Sequence, residues 1–349
     1  MAPMKDVTDV AFRQLVAKSG APDVFWTEFV SADGLYYTQE IAGKSEKSSA
    51  QAARPIQHDF SDSPAHKSNN PLVRDLAFME EQRPIVAQIF SSKPEMIAYA
   101  TKLVAGLGFD GVDINMGCPD RTVEKQGAGA AMIKNPKLAQ EIIRTAKQAA
   151  LEAAIPNPSY RTDLVLSRFP IPVSVKTRIG YNTESLDEWL TALLEAGPAA
   201  ITLHLRTRKD MSLVSADWEQ MKKAVEIRNR VNPDVLLIGN GDVQDLADAR
   251  AKAIESGCDG VMLGRAMFGN PWVFAGRKSE DTPLAEKLAA LIELAHSFEK
   301  ISPPKNFSIL KKHIKAFVTG FNGAAELRAL LMQAENAFEL ERILRENPV

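Results

Sequence analysis

Asp113-Ile114-Asn115-Met116-Gly117-Cys118-Pro119 ends an apolar run with an amide and a thiol. Gly117 and Pro119, one flexible and one rigid, bracket the sulfur, so the turn could project Cys118 into a pocket from a fixed point. Two readings stand for Cys118: a working thiol, or the small buried hydrophobe that a free cysteine often is. A second pattern is Gly239-Asn240-Gly241-Asp242 followed later by Gly264-Arg265. Glycines let backbone N–H groups approach an anion, and Arg265 can grip phosphate oxygens with two donors. Turn glycines beside a surface ion pair are the plainer alternative. Third, Gln88 in VAQIF, Lys176 in VSVKTR and His204 in TLHLRTR each set a polar side chain inside an apolar run. One such residue is usually a satisfied core group, but three could converge above one pocket. Lys176 would then be a cation beside a cofactor that becomes an anion on reduction. His204 could donate to a phosphate or a ring carbonyl.

Those residues need a scaffold that brings strand ends together. Apolar runs predict strands at Phe25–Val30, Ile85–Phe90, Gly111–Gly117, Val173–Ile179, Ala200–Arg206, Val235–Gly241 and Gly260–Ala266, with helical stretches between them. Strands this apolar are buried on both faces, as in a parallel sheet with crossover helices. An eighth strand, first in order, is cut down to the segment ending Ala2-Pro3-Met4. The helix Asp9–Ser19 follows, capped by Asp9 or Thr8. Eight strand–helix units over ~270 residues predict an α/β fold, a (β/α)8 TIM barrel with a truncated first strand. Cys118 then follows strand four, and the two glycine patterns fall after strands seven and eight, the habitual phosphate loops of that fold.

From Asp281 the strand pattern stops. Leu288, Leu291, Ile292 and Ala295 recur at helical spacing, and helices are expected at Leu284–Lys300, Phe307–Val318, Ala324–Leu331 and Ala334–Leu344. The expected division is a barrel over 1–280 and a small helical domain over 281–349. Residues 43–71 read as a flexible insertion, with His58 and His66 solvated rather than ligating metal.

Composition removes several classes. The 349 residues carry 42 Lys+Arg against 44 Asp+Glu, a net charge of −2, so a polyanion must meet a local patch rather than the whole surface. Candidates are the strand-end set Arg121, Lys125, Lys134, Arg178, Arg206, Arg208 and Lys209, and the acid-free stretch 301–325 with Lys305, Lys311, Lys312 and Lys315. A solvated helix face is the bland reading of the latter. Two cysteines, Cys118 and Cys258, cannot build a disulfide framework, which fits a reducing cytoplasm. No apolar run approaches the ~20 residues of a membrane span, and the N-terminus lacks the apolar core of a secretory signal. No membrane association and no metal are expected, and the chain is expected to act as a monomer.

At this point the chain resembles the tRNA-dihydrouridine synthase family. Val112 through Pro119, continuing to Val123 and Gly129-Ala130, is similar to that family's signature. Ala2-Pro3-Met4 with Thr8-Asp9 and Phe12-Arg13 is similar to its N-terminal motif. The remaining motifs fall in the family's order to about residue 275, and Lys312-His313 with Glu326-Leu327-Arg328 resembles its RNA-binding helical domain more loosely. The usual HGRTR is His204-Leu205-Arg206-Thr207-Arg208 here, and a Gln and a Tyr often found beyond it are Asp210 and Ser212.

The resemblance implies FMN as cofactor, NADPH as reductant and uridine in tRNA as substrate. Pro3, Met4, Gln88, Lys176, His204, Asn240, Gly241, Asp242, Gly264 and Arg265 would bind FMN. Asn115 would hold the uracil edge. Arg178, Arg206, Arg208, Lys311, Lys312 and Lys315 would bind the RNA. Hydride would pass from FMN to C6 and a proton from Cys118 to C5, giving 5,6-dihydrouridine. Three other readings are kept: a flavin barrel reducing a free dihydropyrimidine-type or enone substrate, a non-catalytic RNA-binding barrel, and a flavin-free sugar-phosphate barrel.

Overall fold

The computed structural model describes residues 1–43, 70–154 and 170–349. Most of the expected insertion, with His58 and His66, lies outside the described residues. Seven strands form one parallel sheet in sequence order: β1 Phe25–Ser31, β2 Ile85–Phe90, β3 Gly111–Met116, β4 Val173–Arg178, β5 Ala200–His204, β6 Leu236–Asn240 and β7 Gly260–Met262. Each pairs with its sequence neighbours, and helices cross over between them, so the sheet curls into a TIM-barrel-like fold. The register places Gln88 beside Asp113, Asn115 beside Lys176, and His204 beside Asn240. Residues far apart in the chain therefore share one level at the carboxyl ends of the strands.

The expected first strand does not form among the described residues: the sheet has seven strands, and the segment before the first helix makes only single backbone bonds at the seam. The Met1 amino group donates to the Val24 carbonyl at 3.0 Å, and the Ala2 N–H donates to the Leu263 carbonyl at 2.7 Å. Ala2 packs with Trp26 and Met262 across the seam between β1 and β7. Toward the amino ends of the strands the seam widens into a cavity of about 510 Å³ between Val24 and Trp26 on one side and Leu236, Ile238 and Met262 on the other. Pro3 and Met4 leave this seam onto the functional face. Helix Val10–Gly20 follows, and Asp9 caps it by accepting from the Phe12 N–H at 2.9 Å.

Beyond the barrel run helices Leu284–Glu299, Lys311–Phe317, Ala324–Leu331 and Ala337–Glu346. The expected helix Phe307–Val318 begins instead as a tighter turn, Phe307–Leu310. Leu291, Leu294 and Phe317 are buried in the same apolar cluster as Phe12 and Leu15, so the helical segment packs directly on the barrel. Charge reinforces that contact. Lys305 is 3 % exposed in its side chain; it pairs with Glu28 of β1 and lies 3.2 Å from Asp75. His313, also buried, donates from Nε2 to the Val7 carbonyl at 3.2 Å and packs on Phe12. Lys305 thus leaves the proposed basic surface, because its ammonium is consumed inside the fold. Among the described residues, no helix is long and apolar enough to cross a membrane, and no cluster of metal-ligating side chains forms.

Candidate active site

A cavity of about 390 Å³ opens at the carboxyl ends of the strands. The N-terminal segment contributes Pro3 and Met4, and β2 contributes Gln88. The end of β3 supplies Asn115, and the turn after it supplies Cys118. Lys176 and Arg178 come from β4, and His204 and Arg206 from the end of β5. Asn240, Gly241 and Asp242 follow β6, and Gly264 and Arg265 follow β7. All ten residues expected around the cofactor therefore line one space with the thiol and Asn115.

The thiol turn is held from several sides. The Asn115 side-chain oxygen accepts from the N–H groups of Gly117 at 3.1 Å and Cys118 at 2.9 Å. Its Nδ2 donates to Gln88 Oε1 at 3.0 Å, and Gln88 Nε2 donates to Asp113 Oδ2 at 2.7 Å. Asp113 is fully buried; burial pushes its carboxyl up to about 6 against the hydrogen bonds from Ser174 and Gln88. The Cys118 carbonyl accepts from the Ala130 N–H at 2.9 Å. Gly129, at φ +59°, lies so close that a Cβ there would sit 2.7 Å from that carbonyl, which explains the Gly129-Ala130 pair in the motif. The sulfur itself is half-buried, and desolvation raises its pKa above the usual thiol range. Cys118 is a protonated acid at neutral pH rather than a thiolate nucleophile.

The wall that continues from β4 to β7 is cationic. Lys176 is half-buried and donates to Asn240 Oδ1 at 3.2 Å. Among the described residues no carboxylate lies within ion-pair distance of it. Desolvation, then Arg178, pushes its pKa down to about 8. Asn240 is oriented in turn by donating from Nδ2 to the Met262 carbonyl at 2.8 Å. Desolvation first, then Lys176 and three arginines, lower the His204 pKa and keep the ring neutral. Arg206 Nη1 lies 3.2 Å from His204 Nε2. An arginine can only donate, so Nε2 accepts and the ring hydrogen sits on Nδ1. Asp242 pairs with both Arg206 and Arg265 and accepts from the Ala216 N–H at 2.9 Å. Gly241 passes this crossing at φ +131°, where a Cβ would come 2.7 Å from Ala216 Cβ.

Arg178 and Arg206 face the cavity, but Arg178 holds backbone carbonyls, and Arg206 holds one carbonyl besides His204 and Asp242. Arg178 donates to the carbonyls of Gly117, Thr207 and Met211 at 2.8, 3.1 and 3.2 Å, and Arg206 to that of Val214 at 2.6 Å. Arg208 lies outside the cavity, paired with Glu124 and over the Tyr181 ring at 5.4 Å. Lys311, Lys312 and Lys315 lie on the helical segment; Lys312 Nζ is 3.6 Å from Asp6, two residues past cavity-lining Met4. Sequence reasoning missed the supports. Thr177 donates to the Met116 carbonyl at 2.9 Å and accepts from Trp189 Nε1 at 3.1 Å. Trp218 donates from Nε1 to the Gly241 carbonyl at 3.0 Å. Its ring lies 2.6 Å from where a Cβ on Gly239 would stand, so that glycine makes room for it.

The family description Dihydrouridine synthase (Dus) matches residues 1–347. The chain is 34 % identical over 349 residues to a probable tRNA-dihydrouridine synthase of Staphylococcus aureus, covering 99 % of this chain and 92 % of the relative. It is 35 % identical over 348 residues to probable tRNA-dihydrouridine synthase 2 of Bacillus subtilis, with the same coverage. Among solved structures, the Eimeria tenella protein DHODH superposes with a TM-score of 0.43 at 15 % identity, over 64 % of this chain and 60 % of that one. With a match along nearly its whole length, and its strand-end residues gathered around one thiol, the chain belongs to the dihydrouridine synthase family.

Proposed function

We propose that the protein reduces the C5=C6 bond of a uridine in tRNA, with FMN as its cofactor and NADPH as the electron source. The observation that carries this reading is a Cys118 thiol and a Lys176 ammonium, the latter with no carboxylate within ion-pair distance among the described residues, lining one cavity. FMN fits the donor set. Lys176 lacks a carboxylate partner among the described residues, Arg265 stands beside the glycine turns after β6 and β7, and the His204 Nδ1–H remains available. When bound there, FMN would supply hydride chemistry toward the electron-poor C6 of uracil. Cys118 gives its proton to C5, and the thiolate left behind regains a proton from solvent. Asn115 and Gln88 fix the turn that carries the sulfur, and Lys176 offsets negative charge on the cofactor side.

The test is to load the protein with FMN, supply NADPH, and compare tRNA with free uridine. Dihydrouridine should form in tRNA and far more slowly from the free nucleoside. Comparable turnover of free uridine would make the protein a small-molecule reductase instead.

Lys176→Met should weaken FMN binding about ten- to a hundredfold, the worth of one hydrogen bond to a charged group. Flavin fluorescence titration measures this without turnover. The affinity of the native protein should also fall as pH rises through about 8, where Lys176 loses its proton, and the variant should lack that limb.

A base in folded tRNA cannot reach this cavity without leaving its stack, so contacts elsewhere must offset the cost. We assign that part to the cationic face of Lys311, Lys312 and Lys315. Replacing all three by Glu should weaken tRNA binding at moderate salt and flatten its salt dependence, with FMN affinity unchanged. Filter binding across a salt series reads both. Unaltered tRNA affinity would remove this face from the interface.

A further inference from the structure

Residues 207–215 arch over the edge of the cavity between β5 and helix Glu219–Val231. Met211 and Ser212 line the cavity. Just beyond them Leu213 is 85 % exposed and Val214 50 % exposed, two large apolar side chains in solvent beside a polar opening.

The loop is built to hold them there. Arg178 and Arg206, both buried, each send one nitrogen to the loop: Arg178 Nη1 donates to the carbonyls of Thr207 and Met211 and Arg206 Nε to that of Val214, while the other Arg206 nitrogens meet His204 and Asp242. Asp210 accepts from the Thr207 hydroxyl at 2.6 Å, and the Leu213 N–H closes the inner turn on the Asp210 carbonyl at 2.8 Å. Met211 adopts φ +51°, a conformation a side chain rarely takes without such support. Donors from two buried guanidiniums are a large commitment to a surface loop if its exposed side chains meet nothing but water.

The surroundings identify the partner. Lys209, on the same loop, is exposed and donates its backbone N–H to the Tyr181 carbonyl at 2.9 Å. Lys134, also exposed, lies over the Tyr181 ring at 4.2 Å. Apolar side chains beside exposed cations match a stacked polyanion, with bases for the apolar groups and phosphates for the lysines.

We propose that Leu213 and Val214 form a wedge that enters the RNA stack at the place the target uridine vacates. This rests on the function proposed above and deepens it. A base swung out of its stack leaves apolar faces exposed on its neighbours, and apolar side chains inserted there replace the lost contact. Because the wedge borders the cavity, the gap it fills adjoins the space that receives the base. Arg178 and Arg206 are then positioning residues for the wedge.

The experiment compares the wild-type holoenzyme with a Leu213→Ser/Val214→Ser variant on two substrates: folded tRNA, and a short single-stranded oligonucleotide carrying the same uridine. The wedge matters only where a stack must be opened. The variant should lose about tenfold or more in kcat/KM on folded tRNA and less than about twofold on the oligonucleotide, with NADPH reducing the flavin at the native rate. Leu213→Met, which keeps an apolar side chain, should retain near-native activity on tRNA. An equal loss on both substrates, or no loss on tRNA, overturns the wedge while leaving the function standing. A wild-type protein that reduces neither RNA overturns the function and the wedge with it.

Discussion

Cys118→Ala is expected to keep its flavin and its NADPH-driven flavin reduction while losing about 10²- to 10⁴-fold in uridine reduction, the usual contribution of a positioned general acid. The turn should survive the change, because Asn115 holds it through the N–H groups of Gly117 and Cys118 and Ala130 holds it through the Cys118 carbonyl. None of those bonds uses the sulfur. The loss is therefore one of chemistry rather than of fold. The pH dependence sharpens the test. The raised pKa keeps the thiol protonated, so wild-type reduction of tRNA should hold through neutral pH and fall as pH rises through the thiol's titration. The residual activity of the variant should lack that alkaline limb. Rapid mixing of chemically reduced enzyme with tRNA, followed by flavin absorbance, measures both. Equal rates for the two proteins would show that the proton comes from elsewhere.

The second large effect lies away from the cavity. Lys305→Ala should destabilise the protein by about 3–5 kcal/mol, the cost of stranding a buried charge whose partner is removed. Lys305 sits among Glu28, Asp9 and Asp75, all buried. Desolvation works against its charge, but the three carboxylates outweigh it and hold its pKa above normal. Burial already raises the Glu28 and Asp9 carboxyls, with Lys305 opposing that rise. Without Lys305 both should bind protons more tightly in the folded than in the unfolded chain. Such groups favour folding at low pH, and their contribution fades as pH rises through the folded-state pKa. The deficit of the variant should therefore be larger at a mildly alkaline pH than at a mildly acidic one. Urea denaturation at the two pH values reads this. A variant within about 1 kcal/mol of wild type at the higher pH would contradict the claim that this ion cluster locks the helical segment to the barrel. Glu28 also accepts from the Asp6 N–H, so loosening the lock should disturb the loop that carries Pro3 and Met4 into the cavity.

The contrast between these two predictions shows what the sequence discloses and what it hides. All seven strands are legible because parallel strands buried on both faces write themselves as short apolar runs. The polar residues that interrupt those runs, Gln88, Lys176 and His204, are legible for the same reason, and the register sets them on one face. β7 is shorter than its apolar run suggests, Gly260–Met262, because the backbone turns at Gly264 and the Leu263 carbonyl pairs with Ala2 instead. Charge is the opposite case. Lys305 looks like its neighbours Lys311, Lys312 and Lys315, yet its partner Glu28 lies 277 residues away in the chain. Arg178 and Arg206 show the same blindness. Their charge is plain in the sequence, but their commitment to the carbonyls of one loop depends on where the chain returns.

The central claim is that a proton from Cys118 completes the reduction of a tRNA uridine in the cavity shared with Lys176. Mass mapping of tRNA from a host lacking this protein, after return of either the wild-type or the Cys118→Ala chain, tests it most directly. The account predicts that a defined uridine gains two hydrogens with the wild-type chain and stays unreduced with the variant. Full dihydrouridine with the variant, or none with the wild type, would contradict it.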